Sequence, residues 1–290
     1  QPVRIVGRAR VGEQRCLVEL AHGGRTPETP DAGPQRLDVD AAVQFLGGEV
    51  VKALLIARRE LAGYLRTLSG YIIIAAILAL NGLFFNAFAL GRAAERSATV
   101  LSNFFYYSSG FTIVASVFIS MRLLAEERQA GTLSLLYSSP LRDRDIVLGK
   151  YLAGLVFLGV YLVCTLHMPL LIMVNGKVSA GHIFAGYLGL LLLGSASLAV
   201  GTFGSALARN QVMAAILTAV MLVGVILSWL LARITEQPLS NVFSALSLWN
   251  QHFPPFQAGL VHVRDVAYYL SLTYVALFAA TRVLEARRWR

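Results

Sequence analysis

The chain has 290 residues, a formal net charge of +9 and a mean hydropathy of +0.63. It is 56% apolar and only 14% charged, against about 45–50% apolar and about 25% charged for a soluble domain. That balance points to a membrane protein and argues against a soluble one- or two-domain enzyme.

Residues 1–48 differ from the rest, being rich in Arg, Gly, Pro and acidic side chains. Val3-Arg4-Ile5-Val6 and Cys16-Leu17-Val18-Glu19-Leu20 alternate in polarity and suit a short hairpin, while Thr26 to Pro34 reads as a loop. The segment is expected to be a poorly structured extension or a small hairpin, too small to bury a core alone, and no function is assigned to it. The chain does not open on Met, and a natural start near Val50 makes this stretch read as a fragment or an upstream extension. Cys16 lies in this tail and Cys164 within an apolar run, so the two neither pair nor form a metal set.

Over residues 49–69 the pattern becomes helical. Val51, Leu54, Leu55, Leu61, Leu65 and Leu68 recur at three- and four-residue spacing, while Lys52, Arg59 and Arg66 share another face. A basic amphipathic helix lying in the inner interface fits this pattern. The alternative is a straight extension of the first span, and Gly63 and Gly70 favour a bend instead.

Crossing roughly 30 Å of hydrocarbon takes about 20 helical residues with few charges. Six windows meet that need, giving spans at about 70–90, 101–123, 146–174, 183–207, 211–232 and 265–284. A further window, Gln237 to Val263, holds Pro238, Asn250, Gln251, His252, Pro254 and Pro255. Lipid would leave its polar groups unpaired, so it is expected to be an external or re-entrant segment. With the N-terminal side of the first span inside, inner segments hold fourteen Lys and Arg and outer segments five. Both termini are therefore expected in the cytoplasm. This bias and the basic tail account for the net charge, and no soluble basic face for nucleic acid is visible.

The inner loop after the second span carries the strongest signal. Charges open it at Glu126-Glu127-Arg128, and a short apolar stretch with Leu133, Leu136 and Tyr137 follows before Pro140 ends it. An apolar patch bordered by charge suits docking into a partner's groove. Adjacent Glu126 and Glu127 point about 100° apart on a helix and lack a nucleophile or pocket, so a partner-facing helix start is favoured over a catalytic pair. Negative charge at a helix start is also stabilising in itself.

The run Glu126-Glu127-Arg128 through Gly131-Thr132-Leu133, with Leu136, Ser138-Ser139-Pro140 and Gly149-Lys150-Tyr151, resembles the coupling-helix signature of ABC-2 type exporter permeases. The late segment Leu246-Ser247-Leu248-Trp249-Asn250-Gln251-His252-Phe253, then Gly259-Leu260-Val261, Arg264-Asp265-Val266 and the ending Leu284-Glu285-Ala286-Arg287-Arg288-Trp289, is similar to the GldF and NosY branch. The resemblance covers about Val50 to the end. It implies an all-α integral membrane protein of six transmembrane helices, with an interfacial elbow helix, a cytoplasmic coupling helix and a re-entrant external segment. It also implies a half-transporter that pairs with a second permease protomer, as a homo- or heterodimer, and binds two copies of a separate ABC ATPase. By the same resemblance Glu126, Glu127, Arg128, Gly131, Thr132, Leu133, Leu136 and Pro140 form the ATPase-coupling site.

The chain itself is expected to hold no catalytic residue, metal or cofactor, with ATP and magnesium bound by the partner. Around Gly149-Lys150, Arg144 stands where a phosphate loop needs its first Gly, and Tyr151 where Ser or Thr would hold magnesium. His167, beside Pro169 and with no acidic neighbour in its window, suits a histidine satisfied by a backbone carbonyl better than a proton relay. His252 and His262 lack a third ligand in the sequence. The small residues of the fourth span, among them Gly194, Ser197, Gly201 and Ser205, suit either close helix packing or a translocation surface.

The expected function is that of an ABC transporter permease in a bacterial cytoplasmic membrane, coupling ATP hydrolysis by its partner to export. The alternative is an ATP-driven mechanical or assembly component, of the gliding or secretion type, that acts on an external partner protein without transport.

Overall fold

Inside a bilayer each crossing segment must satisfy its own backbone groups, so long uncharged windows are driven into helices. In the computed structural model, which describes residues 53–64, 66–89, 97–131, 142–176, 178–237 and 239–288, six helices are long and apolar enough to cross a membrane. They cover Gly70–Ala87, Ser97–Gln129, Asp143–Val174, Ala180–Leu207, Gln211–Ile234 and Val263–Arg287. The described residues all belong to the unit Gln44–Arg290. The extension expected over residues 1–48 lies outside them.

The elbow segment is helical over residues 53–64 and does not run straight into the first span. Thr67 breaks it with an extended backbone (φ −96°, ψ 134°) before the helix Leu68–Phe84 begins. Gly70 makes the bend possible, since any side chain there would collide with the Tyr64 carbonyl.

The fourth span is the hub. Of its apolar window 78% is buried, against 22% for the first, fifth and sixth spans. Small residues cause this, because they let neighbouring helices approach to backbone distance. A Cβ on Gly194 would stand 2.5 Å from Leu158 of the third span and 2.9 Å from Thr112 of the second, and one on Gly204 would stand 2.6 Å from Thr218 of the fifth. Ser197 and Ser205 are fully buried in the same span. Of the two roles open to this stripe, the geometry supports packing.

The third span bends where its sequence removes a hydrogen bond. Pro169 has no N–H to offer the Thr165 carbonyl, and the helix divides at Leu166 into Asp143–Thr165 and His167–Asn175. His167 Nδ1 donates to the Cys164 carbonyl at 2.7 Å, so the histidine is satisfied by local backbone.

Between the fourth and fifth spans the chain reverses in three residues. Asn210, extended at φ −142° and ψ 170°, caps the fifth span by accepting from the Met213 N–H at 2.7 Å.

The segment between the fifth and sixth spans folds back onto the bundle through two short helices, Leu239–Ala245 and Pro254–Gln257. Leu248, Phe253 and Phe256 are fully buried. Phe256 fills the space left by Gly189, where a Cβ would lie 2.5 Å from it. Gly259, at φ +83°, then turns the chain toward the sixth span in a conformation that favours glycine.

Candidate functional site

The candidate coupling loop leaves the second span through a sharp local change. The helix Ser97–Leu123 stops, Leu124 adopts φ −118° and ψ −34°, and a short helix follows over Ala125–Gln129. A new helix start exposes backbone N–H groups that need acceptors. Here Ser205 of the fourth span supplies one, its Oγ accepting from the Leu124 and Ala125 N–H groups at 3.1 and 3.0 Å. Gly131 ends the segment at φ +72°, a left-handed conformation that a side chain would strain.

Arg128 fastens the short helix to the end of the fourth span. Its guanidinium donates to the carbonyls of Ala208 and, at 3.3 Å, Ala206. Arg287 of the sixth span donates to the neighbouring Leu207 carbonyl at 2.8 Å. Terminal carbonyls of a helix attract cations for this reason. Gln129 adds a contact to the fifth span by accepting from the Gln211 N–H at 3.3 Å.

Charged side chains tie the same segment to two further elements. Arg122 grips Glu126 one turn on through two hydrogen bonds of 2.9 and 3.2 Å. Lys150, near the start of the third span, places its ammonium 2.8 Å from Glu127 and 3.1 Å from Glu60 of the elbow helix. The Lys150 side chain is only 2% exposed. A buried ammonium is costly unless carboxylates surround it, and the two glutamates come from separate elements. Tyr64 closes the cluster: it stacks on Phe157 at 5.1 Å, and the Arg122 guanidinium lies 5.3 Å from its ring centre. Burial, and then the charge of Glu60, push the Tyr64 phenol well above its ordinary range, which keeps it neutral.

Gly149 explains how the elbow comes this close. A Cβ at this position would lie 2.8 Å from the Ala53 carbonyl and from Ile56. Gly149-Lys150 is thus a packing and ion-pair seam between the elbow helix and the third span.

Of the residues expected to couple to an ATPase, Glu126, Glu127 and Arg128 fall in this short segment, each in one of the contacts above, and Gly131 ends it. Thr132, Leu133, Leu136 and Pro140 lie outside the described residues. Glu60 and Tyr64 join the site without having been singled out; Lys150 entered the sequence reading only within Gly149-Lys150-Tyr151, and Ser205 only as one of the small residues of the fourth span.

At the opposite end of the bundle a second polar cluster pins the folded-back segment. His252 Nδ1 lies 2.8 Å from Asp265 Oδ1, its Nε2 lies 3.3 Å from the Ala245 carbonyl, and its ring stacks on Tyr268 at 3.9 Å. His262 also faces Asp265, at 3.8 Å. The two histidines therefore share a carboxylate at the start of the sixth span. Trp249 Nε1 donates to Ser109 of the second span at 2.8 Å, and the Gln257 carbonyl accepts from Ser102 at 3.2 Å and from His182 at 2.8 Å.

Six apolar helices surround a small-residue hub, and a charged segment is clamped to one end of several of them, the architecture of an all-α integral membrane protein. The profile of the ABC-2 family transporter proteins matches residues 83–281. The chain belongs to that family, whose members are membrane permease subunits of ABC transporters that work with an ABC ATPase partner. The matched region contains the candidate coupling loop and Lys150, and it begins after the elbow helix and Glu60. No curated protein matches the chain.

Proposed function

We propose that the chain exports a substrate across the cytoplasmic membrane of a bacterium, with both termini inside, by converting closure of two copies of a separate ATPase into movement of its helices. It does so beside a second permease protomer, and it belongs to the GldF- and NosY-like branch that its late segment resembles. The observation that carries this reading is the ion-pair joint of Glu127, Lys150 and Glu60. Force applied to the loop beyond Gly131 reaches the third span and the elbow through Lys150, and the fourth span through Ser205 and Arg128. Packed interiors and short hydrogen bonds transmit displacement, because they favour discrete arrangements over gradual yielding. Thr132, Leu133, Leu136 and Pro140 are the proposed face toward the ATPase, and ATP and magnesium are the partner's ligands.

The test is co-purification with the ATPase encoded beside the gene, and hydrolysis measured with and without this chain. Leu133→Asp is expected to abolish association. Wild-type association in that variant would remove the proposed docking face. Uptake of a defined molecule into inverted vesicles separates export from purely mechanical work on an external partner.

A further inference from the structure

Where the first turns of the third span lie beside the last turns of the sixth, a cleft of about 210 Å³ opens. Arg144 and Leu148 line one wall, and Tyr274, Phe278, Arg282 and Glu285 line the other. Tyr274, Phe278 and Arg282 recur every fourth residue and so share one face of the sixth span. Tyr274 and Phe278 stack at 6.3 Å, and the Arg282 guanidinium lies 4.9 Å from the Phe278 ring centre. At 1.5 Å per residue this ladder is about 12 Å long, apolar toward the middle of the span and cationic at its end. Its floor is uncovered: Tyr274 is 71%, Phe278 46% and Leu148 42% exposed.

The rim carries one net positive charge. Arg282 pairs with Glu285 at 3.0 Å, whereas Arg144 makes no ion pair among the described residues. The two guanidiniums thus face one carboxylate at the mouth of an apolar groove. That arrangement fits an amphipathic ligand with one surplus negative charge and a hydrocarbon tail. A phosphodiester matches the guanidinium donors. The Lys and Arg bias assigns this end of the spans to the cytoplasmic leaflet, where anionic lipid is available.

We infer that the cleft is a binding site for one anionic glycerophospholipid, its phosphodiester held between Arg144 and Arg282 and one acyl chain lying along Leu148, Phe278 and Tyr274. The site rests on that orientation and is independent of how the chain meets an ATPase. Glu285 is its selectivity element, since it offsets one guanidinium and repels more highly charged headgroups.

Native mass spectrometry of the full chain in mild detergent, titrated with dioleoyl-phosphatidylglycerol or dioleoyl-phosphatidylcholine, tests the site. One phosphatidylglycerol per chain is expected to be retained in preference to phosphatidylcholine. Arg144→Gln and Arg282→Gln are each expected to weaken that retention about fivefold, the worth of one cation near an anionic surface. Glu285→Gln is expected to strengthen it, a sign that damage to the fold would not produce. Equal retention of the two lipids, or unchanged selectivity in Arg144→Gln, overturns the proposal. Displacement of the lipid by inorganic phosphate alone would make this a free-anion site. Loss of a dimer in Arg144→Gln with lipid selectivity intact would make the cleft a contact with a second copy. Either result also overturns it.

Discussion

Glu127 Oε1 and Lys150 Nζ stand 2.8 Å apart, joining the short helix that ends the second span to the third span. The same ammonium holds Glu60 of the elbow helix at 3.1 Å, so three elements that approach one end of the bundle separately share one buried cation. Removing a single member of such a group costs more than the group contributes, because the remaining charges stay buried without compensation.

Lys150→Met therefore leaves Glu60 and Glu127 facing each other in a site that is mostly closed to water. The expected loss is roughly 3 kcal/mol of stability, read as a lower melting temperature in detergent. Glu127→Gln should cost less, and the double variant Glu127→Gln with Lys150→Met should recover part of the loss, since neutralising one glutamate relieves the repulsion. Strictly additive effects would show that the pair is not coupled.

Gly149→Val tests the seam between the elbow helix and the third span. The added side chain meets the Ala53 carbonyl and Ile56, where even a Cβ has only 2.8 Å. Overpacking of this kind costs about 1–3 kcal/mol. Amide hydrogen exchange should rise across residues 53–64 more than in the fourth span. Uniform exchange throughout the chain would contradict a local seam.

Asp265→Asn should loosen the folded-back segment at the other end. Asp265 is fully buried and its Oδ1 holds His252, so the substitution weakens a buried hydrogen bond at a cost of about 1–3 kcal/mol. Protease cleavage or hydrogen exchange should increase between Leu246 and Gln257. The Lys150 cluster at the other end of the bundle should keep its protection, because no contact among the described residues connects it with Asp265. Unchanged exchange in the segment would mean that the packing of Phe253 and Phe256 suffices to hold it.

The six spans are legible in the sequence because hydrocarbon tolerates few charges, so the gaps between Lys, Arg, Asp and Glu trace the helices directly. The break near Pro169 and the close packing at Gly194 and Gly204 follow from single residue types whose backbone chemistry is local. The loop contacts are not local. Ser205 reaches Leu124 across 81 positions, and no period or motif marks a serine in a small-residue stripe as the cap of a distant helix. Lys150 reads in sequence as one member of the Gly149-Lys150-Tyr151 motif; only the fold brings Glu60 and Glu127 to it. Likewise Pro254-Pro255 and the polar residues near them explain why the segment does not cross the bilayer, but the fit of Phe256 against Gly189 belongs to tertiary packing.

The most direct measurement is ATP hydrolysis by the reconstituted complex of this chain with its ATPase, compared between wild type, Glu127→Gln and Lys150→Met at matched complex concentration. If force passes through the joint, both variants should still bind the ATPase but lose most of the hydrolysis that depends on this chain, with Lys150→Met the more severe. Full permease-dependent hydrolysis and full substrate uptake in a folded Lys150→Met complex would contradict it.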